Sequence, residues 1–550
     1  MRRVSMGTVG ILAVWVLALT GSASAAPPAL EYETNLSIPY LDSGRGIAVG
    51  SDGSAYVVGN WYEDQNTLDI HVSRISPTGT VLWTVYLPGS GHDYAWDIAL
   101  DSSDDVYLTG FTDSDDFPAV DALDDTRDKR DAFITKLSAL DGSIVFSTFL
   151  GGDYADEGRG IAIGDDGAIY VVGQVGSTDF PVTPDAYQDH PSFPQYFYTD
   201  AFITKLSADG SEILYSTYFG GEIDDHAERV ALDSAGNIIV VGETNADDLP
   251  LVDAIDTNPN TIFISKFSPD GTQLLFSTYF GGTNLDGVSD MALDGADKVY
   301  LTGSTRSVDF PTTPGAYQED FVGGIAACEV PFGSRYNCED VFVSKLDTTG
   351  GGLLYSTFLA GTKVEMGSGI AVDAGGRAHV VGYTGSPDFP PDGIEFAADI
   401  FVSRFDATGS VLDYSVIVES GSANQGHGIA VDDAGAVYFT GAVNVPSDTY
   451  VAKIAAFTPP SCDDGCLIGP TCYDDGAINP SNPCQICVAT QADDAWSDND
   501  EASCDDGKYC NGADLCAAGS CSVHEGSPCE FGEICNEYLD SCQGGSGCGE

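Results

Sequence analysis

Apolar and polar residues alternate along this chain in short runs, and the runs pair around turns of Asp, Gly and Ser. In GRGIAVGSDGSAYVVG (Gly44–Gly59) the runs GIAV and AYVVG flank the turn. A period of two broken by such a turn predicts a β-hairpin, because alternate residues of a strand face opposite sides of its sheet. The same sixteen-residue phrase returns as AWDIALDSSDDVYLTG (Ala95–Gly110), GRGIAIGDDGAIYVVG (Gly158–Gly173) and AERVALDSAGNIIVVG (Ala227–Gly242). It continues as VSDMALDGADKVYLTG (Val288–Gly303), GSGIAVDAGGRAHVVG (Gly367–Gly382) and GHGIAVDDAGAVYFTG (Gly426–Gly441). A second hairpin follows, as in FITKLSADGSEILYSTYFGG (Phe202–Gly221) and FISKFSPDGTQLLFSTYFGG (Phe263–Gly282). Four antiparallel strands repeated seven times predict an all-β fold, a seven-bladed β-propeller.

The seventh unit ends early. Tyr450–Ile454 supplies its third strand, and Pro459-Pro460 stops the pattern. The missing fourth strand is expected from the other end of the chain, where Leu30–Leu36 matches LLYSTYF in register. Such a closure leaves no open edge between the chain ends. With STDFPVTPDAYQ (Ser177–Gln188), SVDFPTTPGAYQ (Ser307–Gln318) and the recurrent YSTYFGG, the stretch from roughly Leu30 to Phe457 resembles the seven-bladed β-propeller repeat (SBBP repeat) family of bacterial exported proteins. The resemblance implies a propeller and an extracytoplasmic setting, and no assigned chemistry. Blades one, two, four, six and seven lack the full DFPTTPGAYQ loop, so that loop is not a uniform functional motif.

Residues 1–25 read as a secretory signal peptide. Arg2 and Arg3 precede an apolar run from Val9 to Leu19, and Ala23-Ser24-Ala25 is a small-residue cleavage site. No later stretch is long and apolar enough for a membrane span, so an exported or cell-surface protein is expected. The net charge of −63, from 84 acidic and 21 basic residues, argues against nucleic acid, whose phosphates need clustered Lys and Arg. Such acidity suits a solvated exterior.

The two hairpin turns of each blade lie on one face. The connections between second and third strands lie on the other; they are shortest in the last blade and longest in the fifth. Variable loops on a rigid scaffold are where binding resides. The longest carries Cys328 and Cys338, expected to form a local disulfide that stiffens it. On the same face, the phrase's second residue should ring the mouth of the central channel: Arg45, Trp96, Arg159, Glu228, Ser289, Ser368 and His427, with Arg229 one place on. Arginines beside Trp and His suit a carboxylate, a sulfated or uronic sugar, or an acidic peptide. Against this stands a structural reading in which the arginines pair with acidic loops and plug the channel. By contrast, Arg74, Lys136, Lys205, Lys266, Lys345, Arg404 and Lys453 hold one third-strand position in all seven blades and are expected to serve the blade. Asp101, Asp233, Asp294, Asp373 and Asp432, at the end of first strands, are their expected partners.

No HExxH, GxSxG, Walker loop or dinucleotide fingerprint occurs among these residues, and no catalytic residue or cofactor is assigned. Asp-rich turns have the composition to bind Ca²⁺, but none has the spacing of a calcium-binding helix-loop-helix. From residue 458 to 550 the composition changes: thirteen of the fifteen cysteines fall there. A disulfide-stapled module is expected. CDDGKYCNGADLCAAGSC (Cys504–Cys521) resembles the cysteine-rich segments of myxobacterial-type surface proteins. An odd count leaves one thiol over, for which Cys548 is the candidate. The expected protein is thus a propeller over residues 26–457 that binds a protein or polysaccharide at the cell surface. One alternative is a hydrolase or lyase of an anionic polysaccharide, with Arg45 and Arg159 binding and His427 as base. The other is a purely structural envelope or matrix protein.

Overall fold

Seven four-stranded antiparallel units succeed one another along the chain in the computed structural model. The described residues are 28–36, 42–62, 67–192, 198–322, 338–349, 351–390, 399–419, 424–443 and 448–457, together with short strand segments at 13–15 and between 465 and 544. Every regular element among them is a β-strand. The chain divides into two compact units, one holding the seven sheets and the other the short strands from Gly465 to Gly544. Residues 16–27, Cys328 and Cys548 lie outside the described residues, as does most of the expected signal peptide.

The alternation of the phrase becomes the inner half of each blade. In blade three the first strand (Asp156–Ile163) pairs with Ile169–Val175, then Asp200–Leu206, then Ile213–Phe219. The other blades repeat this order, with a fifth three-residue strand (Ala13–Trp15) outside blade six. The ring closes as expected: Leu30–Leu36 forms the outer strand of blade seven, pairing Thr34 with Val451 and Leu36 with Thr449. Apolar side chains from neighbouring blades interdigitate at every junction. Val172, Ile203 and Phe219 of blade three meet Val240, Phe263 and Tyr279 of blade four. At the closing junction Leu36, Val57 and Ile75 meet Tyr438 and Val451. The core is therefore a ring of seven packed seams.

Most first hairpin turns place a glycine in the left-handed region, such as Gly53 at φ +77°. Blades two and five use Asp104 and Asp297 instead, at +63° and +60°. Aspartate tolerates this conformation, and here its carboxylate is also a strap. Asp104 accepts from Ser51 N and Oγ of the preceding blade, and Asp297 does the same with Ser234.

The repeated basic residues serve the blade. Arg74, Lys136, Lys205, Lys345 and Lys453 each lie over a second-strand tyrosine of their own blade, with charge-to-ring distances of 4.7–5.3 Å. Lys136, Lys266 and Lys345 also pair with the expected Asp101, Asp233 and Asp294. Blades six and seven depart from expectation. Arg404 turns to Asp413, leaving Asp373 to Arg377 and His379; Lys453 reaches Glu31 on the closing strand, leaving Asp432 to Tyr438.

A second repeat was not visible as a motif. Six first strands open on a buried acid: Asp42, Asp93, Asp156, Asp225, Asp286 and Glu365. Asp156 accepts from Gly152 N, Gly176 N, Ser177 N and Ser177 Oγ, tying the incoming blade connection to the start of the long loop. Four third strands also begin at a buried Asp, namely Asp131, Asp200, Asp340 and Asp399, and blade one has buried Asp69 as the second residue of its own. Several of these carboxyls therefore face each other across a seam. Burial, with Asp156 adding, pushes Asp131 up to about 7; burial, with Asp200 adding against the hydrogen bonds it accepts, does the same for Asp225.

A candidate binding site at the channel mouth

The first strand of every blade carries a β-bulge, and the bulged residue is the phrase's second position in all seven. The register skips Arg45, Trp96, Arg159, Glu228, Ser289, Ser368 and His427. A bulge re-aims its extra side chain out of the pleat. The seven project to one place. With Arg229, Glu243 and Val288 they line a single cavity of about 310 Å³ on the long-loop face.

Below the bulges the inner strands come close enough to need glycine. A Cβ on Gly160 would lie 2.9 Å from Arg229 Cα, and one on Gly428 would lie 3.0 Å from Arg45 O. Three blades place charge at this level instead. Arg229 Nε donates to Asp290 Oδ1 at 3.0 Å and Nη1 to Glu228 O at 2.8 Å. Burial works against its charge, but Asp97, Asp290 and Glu228 outweigh it and raise the guanidinium further. The other oxygens of the cluster bond to the next blade: Asp97 Oδ2 accepts from Ile161 N and Asp290 Oδ2 from Ile370 N. This group ties blades two to six together under the cavity.

The three arginines therefore differ. Arg229 belongs to the plug. Arg159 donates through Nη1 to both oxygens of Glu228, at 3.0 and 3.3 Å, and through Nη2 to Glu157 and Gln174. Its guanidinium lies 4.9 Å from the Trp96 ring. The pairing expected with acidic loops is, among the described residues, made with Glu157, Glu228 and Asp290 of the first strands. Arg45 has no carboxylate partner among the described residues. It lies 5.2 Å over the Tyr94 ring and donates weakly to His427 Nε2 at 3.5 Å. Arg45 Nε, Trp96 Nε1 and Arg159 Nε are buried donors without a hydrogen-bond partner among the described residues.

His427 Nδ1 donates to Gly44 O at 2.7 Å, which leaves Nε2 as an acceptor toward Arg45. Burial, reinforced by Arg45, pulls its pKa down to about 3, against the bond to Gly44. A ring held so far below its usual range takes up a proton reluctantly. Glu243, which sequence reasoning missed, behaves oppositely. Burial and the neighbouring Glu228 lift it to about 7, against the pull of Arg159. It follows the phrase's closing glycine, where the other blades place Asn60, Phe111, Gln174, Ser304, Tyr383 and Ala442. That offset, unlike in every blade, is the signal that would have found it.

Cys338 is buried and disulfide-bonded. Among the described residues no group of three or more His, Cys, Asp or Glu is arranged to hold a metal ion, and no helix is long and apolar enough to cross a membrane. A larger cavity, about 880 Å³, opens on the same face between blades four and five.

No family model matches the chain, and neither does any curated protein. Among solved structures it is similar to a polysaccharide lyase of family PL25, an ulvan lyase bound to a sulfated glucuronate–rhamnose chain, at 11% identity and a TM-score of 0.44, covering 75% of this chain and 94% of that one. It is similar to a Bacteroides caccae protein of unknown function at 11% identity and a TM-score of 0.33, covering 69% and 94%. A Xanthomonas campestris gluconolactonase gives 13% identity and a TM-score of 0.33, covering 80% and 99%. The propeller rests on this chain's own seven sheets, and outlines shared at such identity transfer no chemistry.

Proposed function

We propose that this is an exported, non-catalytic binding module whose channel mouth holds an anionic group of a cell-surface glycan or protein, such as a uronic acid carboxylate or a sugar sulfate. The observation that carries this is Arg45. In a chain of net charge −63, Arg159 and Arg229 are neutralised by neighbouring acids, while Arg45, over the Tyr94 ring and weakly bonded to His427, has no carboxylate partner among the described residues. A guanidinium with a free edge recognises carboxylate or sulfate through two parallel hydrogen bonds, and the aromatic walls suit the apolar face of a sugar. Titration with glucuronate-bearing and sulfated oligosaccharides tests the reading: binding should weaken about tenfold or more in Arg45→Ala. Equal binding by the variant overturns it.

One observation favours a catalytic version of the same site. Glu243, lifted to about 7 by burial and by the neighbouring Glu228, stands beside that second carboxyl, which is ion-paired to Arg159. Two neighbouring carboxyls, one of them raised toward neutrality, are the equipment of acid–base chemistry on a glycosidic chain. Release of reducing ends or unsaturated products by the wild type, and its loss in Glu243→Gln, would decide for it.

A further inference from the structure

The cavity between blades four and five exists because blade four lacks a side chain that its neighbours carry. In blade three the loop that follows the second strand lies along the outer strand: Gln188 N donates to Thr217 Oγ1 and Tyr218 N to Gln188 O. The Gln188 carboxamide then turns inward. Its Oε1 accepts from Gly220 N, just past the outer strand, and its Nε2 donates to Ser192 and Asp200. Blade five repeats the arrangement with Gln318, which bonds Thr357 and Phe358 through its backbone and accepts from Ala360 N through its side chain.

In blade four the same backbone place belongs to Asp256. Asp256 N donates to Thr278 Oγ1, and Tyr279 N donates to Asp256 O. The shorter side chain cannot reach past the outer strand and folds back on its own loop, accepting from Asn258 and Asn260. Gly281, the counterpart of Gly220 and Ala360, adopts φ +137° and receives no such acceptor among the described residues. The volume that glutamine and the longer loop occupy in blades three and five is open in blade four, where the 880 Å³ cavity lies; blade two has the same short side chain at this place, in Asp124.

We infer that this cavity is a second binding site, for an uncharged, hydroxyl-rich segment of a glycan. Its size lies within the roughly 300–1,000 Å³ of small-molecule sites. It is lined by Asn245, Asn260 and Asn284 together with Phe280 and Leu353; Asn260 Nδ2 is bonded to Asp256 and Asn284 Nδ2 to Arg306 O. Hydroxyls along one side and C–H groups along the other are what a pyranose presents. No Lys or Arg lines it, so an acidic group has no counter-charge there. Its carboxylates are occupied: Asp309 accepts from Thr283 N and Oγ1, and Asp256 from the two asparagines. The site does not depend on the mouth, but the chain links them, since Glu243 lines the mouth and Thr244–Ala246 the cavity.

The test is calorimetric titration of the full chain with neutral tetrasaccharides of β-linked glucose, xylose and mannose. Asp256→Gln restores the missing carboxamide and Asn245→Trp obstructs the rim; melting temperatures establish that both variants fold. At least one tetrasaccharide is expected to bind, about tenfold or more weakly to either folded variant and within about twofold to Arg45→Ala. The inference is overturned if no neutral tetrasaccharide binds, or if both variants bind as the wild type does. It is equally overturned if the peptide Pro-Thr-Thr-Pro-Gly-Ala-Tyr-Gln binds in their place, which would make the cavity a slot for a second chain. Failure of Arg45→Ala to affect acidic probes would remove the mouth reading and leave this result standing.

Discussion

The hairpin face and the channel mouth are built from the same seven strands at positions of the same periodicity, yet they use charge in opposite ways. At the hairpin face a Lys or Arg recurs in every blade, and most of these residues lie over a tyrosine and reach an acid. At the mouth the seven bulged positions hold Arg, Trp, Arg, Glu, Ser, Ser and His. Seven equal seams have seven equal needs, so what recurs answers to packing. The channel has one mouth, so its occupants need not match. Repetition marks the scaffold, and its loss marks the surface free to take a ligand.

The ring is most vulnerable at its closure. Removing residues 30–36 strips blade seven of its outer strand and exposes the Val451 seam. We expect loss of the cooperative thermal transition followed by circular dichroism; a truncated chain that still melts sharply would mean that six complete blades suffice. Next comes a direct contrast between the two faces. Lys266 and Asp233 form a buried pair at 2.6 Å, so Lys266→Ala leaves an uncompensated carboxylate and should cost about 3 kcal/mol in denaturant unfolding. Arg45→Ala should change stability by less than about 0.5 kcal/mol while removing acidic-ligand binding. Equal stability losses would erase the distinction between scaffold and site.

A pH series tests the buried acids of the seams. Asp42, Asp131 and Asp225 are raised by burial to about 7 in the folded ring. A carboxyl raised on folding contributes stability that is complete below its unfolded pKa and is lost as pH climbs through the folded value. His71 and His427 run the other way, since burial lowers both to about 3 and their contribution fades as pH falls below about 6.5. The acids outnumber the histidines, so the melting temperature should rise by several degrees from pH 8 to pH 5. Asp131→Asn should flatten that slope; an unchanged slope would place its origin in the general surface charge. The smallest effect belongs to Asp104→Gly. It relieves a left-handed aspartate but loses two bonds to Ser51, for a net change under about 1 kcal/mol.

Much of the mouth was legible in the chain because the bulge falls at a fixed offset in each phrase, so naming the offset names the ring. Which arginine remained available was not. Arg159 and Glu228 are neighbours only because blades three and four abut at the axis, and Arg229 meets Asp290 across the next seam. The acids opening the first strands were hidden for a different reason. Asp is so common here that a buried one looks like any other, and its burial depends on the loop folded over it.

The alternation of side chains and the seven phrases determined the blade and the count, because hairpin pairing is specified within tens of residues; the closure was legible because Leu30–Leu36 is a strand with no partner nearby in the chain, although it pairs with Thr449–Ile454. The ring alone decided which charges are spent and which remain, since pairing at the axis joins residues about sixty positions apart. It also decided where space is left. The blade-four cavity is defined by a side chain that is missing there, and only the neighbouring blades, folded alongside, show what it would have filled.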